Sequence, residues 1–339
     1  MYAHRHIGFK ATLRFSYRGG LLAAVWAFAI TAVHTLFELE WLALPALPVT
    51  VLGTAVSFYL GFKGNSAYDR LWEARKIWGG IVNTSRTWGA HVISMVTDRN
   101  VTQSLATPLA EVHRELVLRH VGWLAALRTQ LRRRKAWEHD QPGNNTYRED
   151  RGMLDMSPAR LRRRLEPYVP VDELDGLMQY ANQATQLVRR QADRLRDLRD
   201  DGRIDDFRHM ELARLLEELY TLQGKCERIK NFPLPRQYAS ANQWFMIVFL
   251  SLVPFALLGA FGNGDPLAIW LTVPASALVG WVFYTWDLIV DYSENPFEGL
   301  VNDIPMDALS RTIEIDLLEM LGDTETPEPI RANANGGLF

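Results

Sequence analysis

The sequence predicts an all-α, polytopic membrane protein in which four transmembrane helices carry a helical domain on one side of the bilayer. Four stretches are nearly free of charge: Gly19 to Phe37, Trp41 to Phe62, Tyr238 to Gly264, and Pro266 to Trp286. Each is close to the about 20 apolar residues that a helix needs to cross a bilayer. A long region dense in Arg, Asp and Glu separates the second from the third. No segment has the two-residue alternation of a strand. The averages conceal this division, because 339 residues that are 48% hydrophobic with a formal net charge of -2 and a mean hydropathy of -0.11 read as a soluble protein.

The first run follows Arg5, Lys10, Arg14 and Arg18, a basic head that a secretory leader would also have. No small-residue cleavage site follows, and Glu38-Leu-Glu40-Trp41 leads straight into the next run, so the first reads as a span. Behind the second run come Lys63, Arg70, Arg75 and Lys76 with Trp72 and Trp78 among them, the composition of a cytoplasmic interface. Within it, Thr54, Phe58 and Phe62 recur every four residues and share one helix face. The ordinary reading of such a stripe is contact with lipid or core. The sharper one is that several copies around an axis stack rings of Thr, Phe and Phe into a narrow hydrophobic gate.

Positive charge sets the orientation. The connection between the first two spans carries Glu38 and Glu40 and no Lys or Arg, and that between the last two is the short turn Gly262-Asn-Gly-Asp-Pro266. Both termini and the whole middle are therefore expected in the cytoplasm. The expected organisation is a cytosolic segment over 1–18, a first membrane hairpin over 19–78, a helical cytosolic domain over 79–237, a second hairpin over 238–290, and a cytosolic helix and tail over 291–339.

The middle reads as helices. Thr107-Pro108 is expected to cap one, with Val112, Leu116, Trp123, Leu127 and Leu131 along its apolar stripe. The Arg132-Arg-Arg-Lys135 run suits the negative end of that helix. His139 to Ser157 reads as a loop, Ser157-Pro158 opens another helix, and Val171 to Arg199 continues helical until Gly202. Asp206 to Ile229 is the clearest amphipathic helix, burying Leu212, Leu215, Leu216, Leu219, Leu222, Cys226 and Ile229. Pro254 should kink the third span, Gly259 and Gly280 should let helices approach closely, and Asp287 to Gly322 reads as amphipathic and acidic.

Most enzyme chemistry is excluded. There is no Gly-rich phosphate loop, His-Glu-x-x-His or Gly-x-Ser-x-Gly. One cysteine, Cys226, forms no intrachain disulfide framework. His113 and His120 lie seven apart with no further ligand cluster, so no metal or cofactor is expected. The near-neutral charge gives no support to a nucleic-acid partner. The Arg189 to Arg199 stretch alternates Arg with Asp and reads as a solvent-facing helix laced with ion pairs, or else as the lining of an aqueous vestibule.

The segment Asn65-Ser-Ala-Tyr-Asp-Arg-Leu-Trp-Glu-Ala-Arg-Lys-Ile-Trp-Gly79 resembles the signature after the pore helix of prokaryotic bestrophins. Similar blocks are His120-Val-Gly-Trp-Leu-Ala-Ala-Leu-Arg-Thr-Gln-Leu-Arg132, Cys226-Glu-Arg-Ile, Pro233-Leu-Pro235, Glu294-Asn-Pro-Phe297 and Asn302-Asp-Ile-Pro-Met306. They stand in family order over most of the chain. The resemblance implies a homopentameric channel for monovalent ions in the cell's inner membrane, in contact with membrane lipids. Its neck would be lined by Thr54, Phe58 and Phe62. A second constriction at the cytosolic exit would fall, counting back from Gly202-Arg203-Ile204, on Leu187 or a residue one helical turn away.

Two departures follow. Animal members bind calcium through consecutive acidic residues just beyond the Asn-Pro-Phe motif, and Glu298-Gly-Leu-Val-Asn-Asp303 lacks that run, so a calcium clasp is not expected. Thr54 in place of an aliphatic residue should make the outer ring wetter. The family includes anion- and cation-selective members. Phenyl edges turned to the axis would favour an anion and phenyl faces a cation, and Arg189 and Arg190 after Leu187 favour anions such as chloride. Asp193, Asp197, Asp200 and Asp201 favour cations, and a non-conducting membrane scaffold is the reading from another class.

Overall fold

The structure is a computed structural model that describes residues 1, 3, 6–99, 101, 106–141, 144, 148, 156–262, 267–332, 337 and 338. The chain falls into two compact units, one formed by His4–Arg70 and Pro233–Glu294, the other by Met1–Ala3, Leu71–Phe232 and Asn295–Phe339.

The first unit contains α1 (Phe9–Phe37), the first part of α2 (Ala46–Met95), α8 (Arg236–Phe261) and α9 (Thr272–Asp291). All four helices are long and apolar enough to cross a membrane, so this is a membrane protein. α1 begins ten residues before the charge-free run, because Lys10, Arg14 and Arg18 recur every four residues and fit one face of a helix that continues beyond the apolar stretch. The predicted turn between α8 and α9 lies, past Gly262, outside the described residues.

Small residues join the membrane helices. The buried positions of α1 are Ser16, Gly19, Ala27 and Thr31, and those of α9 are Thr272, Ser276, Gly280 and Val290. A Cβ on Gly19 would lie 2.3 Å from the Tyr284 ring, and one on Gly280 would lie 2.4 Å from the Ala23 Cβ. Lipid gives no hydrophobic drive to helix association, so close backbone packing supplies it. The Trp281 indole N–H donates to Ser16 Oγ at 2.8 Å across the same seam. Pro254 sits inside α8, and Gly259 leaves room for the Leu44 carbonyl, 2.8 Å from where its Cβ would stand. α2 packs on α8 through Val49, Val56, Leu60, Met246, Phe249 and Val253.

The second unit is built by the rest of α2 with α3 (Leu109–Arg132), α4 (Pro158–Leu165), α5 (Val171–Leu177), α6 (Gln183–Asp200), α7 (Asp206–Asn231) and α10 (Met306–Met320). Trp78, Trp88, Trp123, Leu116, Leu124 and Leu127 are fully buried in its core. Ser157 caps α4 by accepting from the Arg160 amide, with Pro158 next, as the sequence predicts. α7 buries its predicted face, with Leu215 only half-buried. Two expectations change. The cap of α3 is Pro108, not Thr107, whose carbonyl instead accepts from Arg203 at 2.5 Å. The predicted helix from Val171 to Arg199 breaks at 178–182, where the Asn182 side chain accepts from the Thr185 amide and restarts the chain as α6. Within Asp287 to Gly322, irregular chain over 292–305 separates α9 from α10.

Candidate functional site

α2 is one uninterrupted helix of 50 residues, and its two sides differ. Val49, Val56, Leu60, Lys63 and Ala67 are buried. On the opposite side Thr54, Asn65 and Asp69 are exposed, Phe58 is 66% exposed and Phe62 is 59% exposed. At about 100° per residue, Phe58, Phe62 and Asp69 fall within about 40° of one another around the helix. The predicted stripe is therefore one outward face. Exposed phenylalanines alone are what a lipid-facing helix presents, but a face that also carries Asn65 and Asp69 is not suited to lipid along its whole length.

The hydroxyls of Thr50 and Thr54 donate to the carbonyls of Ala46 and Thr50 at 2.9 and 3.0 Å. That leaves their oxygens turned to the surroundings as acceptors. Two of the four basic residues behind this stretch are engaged elsewhere. Lys63 is buried and pairs with Asp287 at 2.8 Å, and Arg70 Nε donates to the Glu294 carbonyl at 3.0 Å. The sequence reading of this segment weighed its four basic residues and gave no role to Asp69. The signal was available in its spacing, seven residues beyond Phe62 and hence nearly two turns along the same face.

Leu187, the residue expected at a separate cytosolic constriction, belongs to the second unit. It is fully buried in the core of the second unit, so it presents no side chain to an aqueous path, and neither do Ala184, Val188 or Gln191 around it. The count back from Gly202 lands inside the bundle because α6 turns its apolar side to α3 and α7. The outer side carries the ion pairs of the plainer reading, Arg189 with Asp193 at 3.4 Å and Arg196 with Asp197 at 3.1 Å.

The segment after α9 is held by basic side chains of its own unit. Arg148 lies 2.9 Å from Glu298, His139 Nδ1 lies 2.8 Å from the same carboxylate, and Arg132 lies 3.3 Å from Asp303. Lys230 pairs with Glu138. Burial pushes the Asp303 carboxyl up to about 6, against the opposing pull of Arg132. Burial likewise lowers the pKa of Lys230. Among the described residues no group of three His, Cys, Asp or Glu is arranged to hold a metal. His120 stacks between Trp88 and Trp123 with ring centroids 6.2 and 5.2 Å away and shares a 2.8 Å hydrogen bond with Ser85. His113 meets the Val96 carbonyl instead.

The family model for the bacterial and fungal bestrophin proteins matches residues 18–319. The chain belongs to the bestrophin family. Among curated relatives, the voltage-dependent anion channel-forming protein of Mesorhizobium japonicum is 28% identical over 88% of this chain and 83% of its own length. The voltage-dependent anion channel-forming protein YneE of Escherichia coli is 25% identical over 88% and 86%. The crystal structure of a bacterial bestrophin homologue from Klebsiella pneumoniae aligns with a TM-score of 0.72 at 25% identity, covering 91% of this chain and 98% of that one.

Proposed function

We propose that this bestrophin is one subunit of a homopentameric ion channel in the cell's inner membrane, with both termini cytoplasmic. It passes monovalent ions, anions such as chloride ahead of cations, through an axial neck lined by Thr54, Phe58 and Phe62. The observation that carries this reading is the outward face of α2, where two phenylalanines more than half exposed follow Thr54 and precede Asn65 and Asp69 on one side of a continuous helix. The names of the curated relatives, which are anion channel-forming proteins, support the sign of the ion.

Five copies around an axis turn the stripe into three rings. The Phe58 and Phe62 rings make a dry passage in which a partly dehydrated ion loses water contacts, and such constrictions gate by dewetting. Phenyl edges directed inward present their positive rim to an anion. The Thr54 ring, with outward acceptor oxygens, wets the outer end. Membrane lipids cover the exposed apolar sides of α1 and α9, such as Leu22 and Val282. Leu187 has no part in this path, and the mechanism calls on no cofactor.

Purified protein in planar bilayers under a potassium chloride gradient tests the reading. Currents should reverse on the chloride side of zero, and native mass spectrometry should find five copies. Phe58→Ala or Phe62→Ala removes a ring of phenyl groups, so conductance or open probability should rise and ion discrimination should weaken. Unchanged currents in both variants at matched expression would remove this face from the pore. A silent wild-type protein would favour the scaffold reading.

A further inference from the structure

We propose that Asp69 sets the ion discrimination of the channel, as a ring of carboxylates at the cytoplasmic mouth of the neck that draws cations in and holds the anion preference down. The inference rests on the assignment of the outward α2 face to the conduction path.

Three observations carry it. Asp69 is exposed, and its position around the helix is about 20° from both Phe58 and Phe62. It stands about 10 Å beyond Phe62 by helical rise, close to the distance over which a charge acts through physiological salt. It also has no ion pair or hydrogen bond among the described residues, whereas the charges nearest to it along the helix are engaged. Lys63 is held by Asp287 at 2.8 Å, Arg70 Nε donates to the Glu294 carbonyl at 3.0 Å, and Glu73 pairs with Arg228 at 2.6 Å. Glu73 lies on the same side, one turn beyond Asp69, with its charge matched by Arg228; Lys76, exposed and about 10 Å beyond Asp69, is the next charge on that side that no ion pair among the described residues holds. The ion leaving the apolar rings on this side therefore meets the unpaired carboxylate of Asp69 first, and the unpaired ammonium of Lys76 only beyond the Glu73–Arg228 pair.

An unpaired charge has no partner to satisfy and does nothing for the fold of the membrane unit. Its energy is spent on whatever passes. Five such carboxylates at one level oppose an anion by repulsion and concentrate cations at the mouth, so a path with anion-favouring phenyl edges is left weakly selective.

The experiment compares reversal potentials of wild type, Asp69→Asn, Asp69→Glu and Lys76→Gln in bilayers under a sodium chloride gradient. Asp69→Asn should raise the chloride-to-sodium permeability ratio roughly fivefold, the order expected from five unit charges near the axis in a water-like dielectric. Asp69→Glu should keep the wild-type ratio. Lys76→Gln should move the ratio the other way and less far, which a general disturbance of folding would not do. A conducting Asp69→Asn channel with the wild-type ratio overturns the role of Asp69 and leaves the channel reading standing. An absence of current in the wild type would remove both.

Discussion

The two units of this bestrophin solve packing in opposite ways. The membrane unit joins its helices through Gly19, Ala23, Ser276 and Gly280, and leaves large side chains such as Leu22, Phe28 and Phe58 on the outside. The second unit puts its large side chains in the middle, Trp78, Trp88 and Trp123 among them. It also buries polar groups that satisfy one another, as where the Trp123 indole donates to Gln223 Oε1 at 2.9 Å and the Gln223 amide donates to Thr185 Oγ1 at 2.8 Å. The solvent explains the inversion. Water drives large apolar groups inward, whereas in lipid an outward leucine costs nothing and only close fit and hydrogen bonds hold helices together.

The strongest way to break this comparison is to give the small-residue seam a large side chain. Gly280→Leu would force α1 and α9 apart, and we expect no monodisperse peak by fluorescence-detected size-exclusion chromatography. Gly61→Ala in the same unit, where an added Cβ meets nothing within 4 Å, should elute as wild type. A smaller but still large loss is expected in the other unit. Trp123→Ala empties a core position and leaves Gln223 Oε1 without that donor, costing about 3–5 kcal/mol and lowering Tm on the order of 10 °C. A change of only a degree or two would mean that the core relaxes around the cavity.

The finest test is one of pH. Burial holds the His120 imidazole neutral, with its pKa pushed down to about 3 from 6.5. The unfolded chain therefore binds this proton first, and stability supplied by His120 is present above pH 6.5 and lost as pH falls toward 3. Asp303 works in the opposite direction between 3.8 and about 6, where the folded form takes up its proton more readily. Tm measured from pH 7 to pH 4 should fall more steeply in wild type than in His120→Gln. Parallel curves would show that this ring does not set the acid response.

Elements whose physics is local were legible in the sequence. The Ser157-Pro158 cap, the apolar face of α7 and the four long apolar runs each follow from neighbouring residues. The length of α2 was not, since the expected hairpin ended at residue 78 whereas the helix runs on to Met95. A Cβ on Gly80 would lie 2.9 Å from Leu222 Cδ2, so that glycine serves a close approach rather than a turn. Of the candidate site, the stripe from Thr54 to Phe62 was visible from its spacing alone. The burial of Leu187 and the internal pairing of Lys63 were not, since Leu187 is covered by the separate helices α3 and α7 and Lys63 meets Asp287, 224 residues away along the chain.

The loop after α9 has a consequence in terms of mass action. A segment ordered by a bound ion is stabilised in proportion to the logarithm of that ion's concentration. Here the counter-charges of Glu298 and Asp303 are Arg148 and Arg132, parts of the same chain. Their effective concentration is fixed by the fold, so these two pairs do not depend on the concentration of any solute.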